Sequence, residues 1–128
     1  MKSLIMIFLF IAPGFVLAQN DIINEVKEVM KTGSSREMVK LLGQSVDMEL
    51  LDGNMKSYSR AQAEFVLKDF FKKHPPTSFT IIHQGASKAG LPYVIGEFIS
   101  DNNTFRVFVR VKKSGEKYFV HQISFNKE

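Results

Sequence analysis

The chain is 128 residues long, 45% hydrophobic and 23% charged, with a formal net charge of +4. That composition supports one packed core and excludes a disordered, collagen-like or membrane-embedded chain. It contains no cysteine, which removes a disulfide framework, a thiol nucleophile and any thiolate metal site.

Met1 and Lys2 precede an apolar run from Leu4 to Leu17, with Val16 and Ala18 at the recognition positions of a cleavage site. The pattern predicts a secretory signal over residues 1–18. The run is interrupted by Pro13 and Gly14 and falls short of the ~20 apolar residues that cross a bilayer, so no membrane anchor is expected. Without a cysteine the lipid attachment of bacterial lipoproteins is excluded as well. Residues 19–128 are then a single domain, free in the periplasm or outside the cell. Loss of the signal removes Lys2 and no acid, which leaves a charge of +3. The basic residues are scattered, only Lys72-Lys73 and Lys112-Lys113 are adjacent, and there is no tryptophan. Nucleic acid is therefore not an expected partner.

Ile22, Ile23, Val26, Val29 and Met30 follow helical spacing, and the helix they predict runs from Asp21 to about Lys31. Thr32-Gly33 breaks it, and Ser34 with Glu37 has the spacing of a capping box that starts a short helix carrying Met38, Val39, Leu41 and Leu42. Val46, Met48 and Leu50 alternate with Asp47 and Glu49 as in a strand, Asp52-Gly53 supplies a turn, and Met55 to Tyr58 returns as its partner. Ser59 and Gln62 repeat the capping-box spacing ahead of Ala63, Val66, Leu67, Phe70 and Phe71, the apolar stripe of a third helix that Pro75-Pro76 stops. Four β-type runs follow, Thr77–Gln84, Tyr93–Ser100, Phe105–Lys112 and Tyr118–Phe125, joined by short turn sequences. The predicted class is α+β: helix, helix, hairpin, helix and a four-strand meander, with the N-terminal helices packed on a curved, mainly antiparallel sheet.

The stretch Tyr58-Ser59-Arg60-Ala61-Gln62-Ala63-Glu64 leading into Lys68-Asp69-Phe70-Phe71, the turn His83-Gln84-Gly85 and the run Tyr93-Val94-Ile95-Gly96 resemble an uncharacterised family of small secreted bacterial proteins. The resemblance covers essentially all of residues 19–128. It implies the nuclear-transport-factor-2-like, or cystatin-like, cone, with a cavity between the sheet and the helices and frequent dimers through the sheet. It implies no reaction, because the same cone hosts isomerases, cyclases and inert adaptors.

Three polar residues fall in phase with apolar neighbours: His83 with Phe79 and Ile81, Glu97 with Tyr93, Ile95 and Ile99, and His121 with Phe119, Ile123 and Phe125. If these faces look into the cone, Phe79, Tyr93 and Phe119 line a ligand pocket. Glu97, its pKa raised by burial, is then the candidate general acid or base, with His83 and His121 as further catalytic candidates. Against this, Gly96 marks a bulge that sends Glu97 to solvent, and each histidine is half-exposed near a strand end. A facial metal triad of these three residues lacks tight ligand spacing, so no metal and no cofactor is expected. No nucleophile elbow, phosphate loop or paired-histidine zinc motif is present. Out of phase lie Val94, Phe98, Phe108, Val120 and the arginines 106 and 110, and the expected use of that face is a homodimer through Phe98, Phe108 and Val120. The function these features favour is an exported, non-catalytic module holding a small apolar ligand or docking a protein partner. The alternative is an isomerase-like or cyclase-like enzyme with Glu97 in the pocket.

Overall fold

In a computed structural model the chain is described for residues 21–51 and 53–128. The predicted signal, residues 1–18, lies outside the described residues, as does Asp52 of the predicted turn. Helix α1 occupies residues 21–32, and its buried side chains Ile22, Val26, Val29 and Met30 are those of the predicted stripe. Gly33 ends it at φ 69°, where a Cβ would collide with the Pro76 ring. Helix α2 (Ser35–Leu41) starts under the Ser34 hydroxyl, which accepts from the Glu37 N–H. Strand β1 (Leu42–Leu50) follows at once and pairs with β2 (Lys56–Ser59).

Helix α3 (Arg60–Lys73) carries the full capping box: Ser59 Oγ accepts from the Gln62 N–H, and Gln62 Oε1 accepts from the Ser59 N–H. It buries Ala63, Leu67, Phe70 and Phe71. The four runs after the prolines are β3 (Ser78–Ala86), β4 (Pro92–Ser100), β5 (Asn103–Ser114) and β6 (Lys117–Lys127). The sheet order is β2-β1-β6-β5-β4-β3. All pairs are antiparallel except β1 with β6, which is parallel and joins the hairpin to the meander. The predicted class and element order are those observed.

The expected hollow under the helices is filled. Phe70, Phe71, Phe98, Phe105 and Phe125 pack with ring centroids 4.3–6.4 Å apart, around Met38, Leu67, Val107 and Ile123. The helix face of β4 is Val94, Gly96 and Phe98, each buried, while Tyr93, Ile95, Glu97 and Ile99 are half-buried on the other face, which none of the described helices covers. This is the reverse of the expected phase. Gly96 does lie at a bulge, but the extra residue belongs to the neighbouring strand: β3 pairs Ile81 with Gly96 and His83 with Ile95, whereas β4 and β5 pair without interruption from Tyr93↔Arg110 to Ser100↔Asn103. It is a glycine because the Phe79 ring lies over its α-carbon, where a Cβ would collide with Cζ.

Candidate functional site

Two β-bulges decide which polar side chains reach the uncovered, open face. In β3 the register shifts between Ile81 and His83. Phe79 and Ile81 face the helices as expected, but the extra residue Ile82 turns His83 over, opposite Ile95. Its Nε2 lies 3.3 Å from the Tyr93 hydroxyl. In β6, Val120 pairs with Val111 and Gln122 with Arg110, so His121 is the extra residue, and it reaches the open face. A bulge places two residues against one, and here each re-aims a histidine.

On the open face the Tyr93 and Phe108 rings stack, with centroids 5.5 Å apart and planes within 15°. The Arg110 guanidinium sits 5.2 Å above the Phe108 ring, a cation–π arrangement. With Leu91 and Ile95 these side chains line a groove of about 670 Å³ that extends to Lys112 and His121.

A second cleft of about 570 Å³ adjoins the first and shares Lys112 and His121 with it. It exists because β1 bows away from β6: Leu42 pairs with Val120 and Asp47 with Gln122, so five steps along β1 match two along β6. Gly43, Ser45 and Asp47 form one wall, Ser114 and Phe119 another, and Arg60 from the first turn of α3 reaches in. Arg60 Nε donates to the carbonyls of Leu42 and Gly43, both at 3.2 Å. The His121 pKa is lowered, first by partial burial, then by the charges of Lys112 and Arg110, with Asp47 opposing.

The expected site residues do not gather in an interior pocket; Tyr93, Phe119 and His121 lie instead along the adjoining groove and cleft of the open face. Phe79 is in the core, 2% exposed, while Tyr93 lies in the aromatic groove and Phe119 in the cleft. Glu97 stands on the open face between Thr80 and Arg106, and Arg106 pairs with Glu128 at 2.6 Å. The interior acid–base geometry required for catalysis by Glu97 is therefore not formed. His83 on β3 and His121 on β6 are separated by three strand spacings, roughly 14 Å across the sheet, and are offset along it as well, since the register runs from His83 through Ile95 and Phe108 to Ser124. Among the described residues no three His, Asp or Glu side chains are grouped to hold a metal ion. Of the expected dimer residues, Phe98 and Val120 are 0% exposed on the helix face, so a folded chain cannot offer them to a second copy. Phe108 is on the open face.

Residues 23–126 match a family described as a domain of unknown function, DUF4783. The chain belongs to the DUF4783 family. A family member from Bacteroides ovatus is 31% identical, with a TM-score of 0.75 over 81% of this chain and 93% of that one. Another from Bacteroides uniformis is 32% identical, with a TM-score of 0.75 over 82% and 95%. More distant structures share the fold alone. An NTF2-like protein of unknown function from Silicibacter pomeroyi is 10% identical, with a TM-score of 0.61 over 91% of this chain and 98% of that one. A cystatin-like domain of unknown function from Nostoc punctiforme is 10% identical, with a TM-score of 0.64 over 84% and 74%. No curated protein matches the chain.

In this DUF4783 domain the open face gathers residues that sequence reasoning passed over: Arg60, treated there only as part of the helix-three motif, together with Leu91, Lys112 and Ser114. The one available signal was the length mismatch between β1 and β6, which appears only once the parallel pairing is known. Chemically, the arrangement presents groups suited to contact with a ligand. It offers a flat aromatic platform, fixed cations and hydroxyl groups, with Asp47 and His121 in the walls of the cleft.

Proposed function

We propose that this protein is an exported, non-catalytic binding module that holds a small, largely apolar ligand on the open face of its sheet. The observation that carries the reading is the Tyr93–Phe108 stack at the floor of a groove of about 670 Å³, a volume suited to a small molecule. Half-buried aromatic rings beside Ile95 and Leu91 supply apolar contact area, and Arg110, lying on Phe108, stiffens the platform. The apolar run that precedes residue 19 supports export.

A neutral bicyclic probe, 2-naphthylmethanol, tests the groove by fluorescence titration. The expected result is saturable one-to-one binding that Phe108→Ala weakens about tenfold, in line with loss of a stacking partner. An affinity unchanged by Phe108→Ala overturns the reading. Light scattering provides the second arm. A dimer that Phe108→Asp dissociates hands the face to a second copy of the chain and ends the small-ligand assignment.

A further inference from the structure

We propose that the cleft between β1 and the β5–β6 hairpin seats a carboxylate group, so that the ligand of the open face is an amphipathic acid. Its apolar body lies on the Tyr93–Phe108 platform and its head group is held by Arg60 and Lys112. The inference rests on the apolar-ligand reading above and adds the chemical class of the head.

The first ground is that the cleft and the aromatic groove are continuous, sharing Lys112 and His121 as common walls. One ligand can therefore touch both.

The second is the state of Arg60. Its two hydrogen bonds both use Nε, to the Leu42 and Gly43 carbonyls, so among the described residues its two terminal nitrogens are left for a ligand. Those bonds hold the guanidinium in place before a ligand arrives, which lowers the ordering cost of binding. A planar fork of N–H donors fits a carboxylate with two parallel bonds.

The third is the charge balance. Arg60 and Lys112 line the cleft, Arg110 flanks it, and Asp47 is the one acid in its wall. Neither Lys112 nor Arg60 is in a salt bridge among the described residues. The hydroxyls of Ser45 and Ser114 add uncharged donors. His121 feels the same field: partial burial is the first cause of its lowered pKa, Lys112 and Arg110 oppose its protonation further, and Asp47 acts the other way. A bound anion removes part of that opposition.

The test compares 2-naphthoate with 2-naphthylmethanol, which keeps the bicyclic body and lacks the charge, on the wild-type protein, Arg60→Gln and Lys112→Gln. Naphthoate is expected to bind at least about tenfold more tightly than the alcohol. Each variant is expected to abolish that preference, and Arg60→Gln, at a residue outside the aromatic groove, is expected to leave the alcohol affinity unchanged. In the wild type, naphthoate and not the alcohol should raise the His121 pKa followed by NMR. Arg60 also braces the start of β1, so Arg60→Gln carries a folding risk. Lys112→Gln decides in that event, because the Lys112 side chain makes no salt bridge among the described residues.

Equal affinity for the two probes, or a preference that survives in Lys112→Gln, overturns the carboxylate assignment and leaves the apolar reading standing. Failure of the alcohol to bind at all defeats the apolar reading instead. Displacement of naphthoate by equimolar inorganic phosphate, with the same dependence on Lys112, makes the cleft a site for free oxyanions and overturns the amphipathic-acid proposal.

Discussion

On the helix face the Phe79 ring lies over Gly96; on the open face the Tyr93 ring lies over Gly85. Both pairs join β3 to β4, and both use the missing side chain of a glycine to let an aromatic ring lie flat on the neighbouring strand. Their surroundings differ. Phe79 is 2% exposed, enclosed by the core, and has no direction in which to move. Tyr93 is half-buried, with its hydroxyl near His83 and its ring stacked on Phe108. The inner pair holds the fold together, and the outer pair shapes a surface. One local device thus serves stability on one side of a sheet and recognition on the other, according to what covers it.

A methyl group at each glycine breaks the comparison in opposite ways. Gly96→Ala carries the larger expected effect. Its new Cβ meets Phe79 ring carbons in a space closed by the core. Overpacking of this kind costs about 1–3 kcal/mol, which outweighs the roughly 0.5–1 kcal/mol gained by replacing glycine in a strand. Thermal or urea unfolding should show the net loss. The double variant with Phe79→Leu should recover part of it, as a positive coupling in a double-mutant cycle.

Gly85→Ala should do the reverse. The added Cβ falls 2.6 Å from the Tyr93 hydroxyl oxygen, but Tyr93 can swing toward solvent, so stability should change by no more than about 0.5 kcal/mol. The stack on Phe108 is lost, and 2-naphthylmethanol binding should weaken with it. Equal destabilisation by the two substitutions would mean that the open face is as tightly packed as the interior, contrary to the groove.

The element order could be read from the sequence because local signals set it: the capping box of Ser59 and Gln62, the stop at Pro75-Pro76, and β-branched and aromatic runs between turn residues. The faces could not, because periodicity gives two alternating sets and does not say which one the helices cover. In β4 the bulkier set, Tyr93, Ile95 and Ile99, seemed the core set, yet Val94, Gly96 and Phe98 are buried. The reason is a long-range contact: Phe79 supplies from β3 the volume that Gly96 lacks. The histidines failed for a related reason. A bulge adds one residue and inverts the alternation beyond it, and neither Ile82 nor His121 carries a local mark of being that residue. The cleft was hidden because it depends on the mismatch of β1 against β6, a parallel pair whose strands lie far apart in sequence.

The smallest effect expected is a pH dependence at His121, and it sharpens the contrast between the faces because it comes from a half-covered site. Burial, Lys112 and Arg110 lower its pKa below the ordinary value of 6.5, and Asp47 opposes them. The folded protein therefore binds a proton at His121 less readily than the unfolded chain does. Linkage then requires the stability of the fold to decline as pH falls below the unfolded value, until the folded pKa is also passed. Well above the unfolded value the imidazole is uncharged in both states and contributes nothing of this kind. The decline should be small, since the group is half-exposed and solvent screens it. It should diminish in Lys112→Gln, which removes one of the two opposing cations, and vanish in His121→Asn. Urea midpoints measured between neutral and mildly acidic pH provide the check. An equally steep decline in His121→Asn would place its source elsewhere, and the field read from this histidine would lose its support.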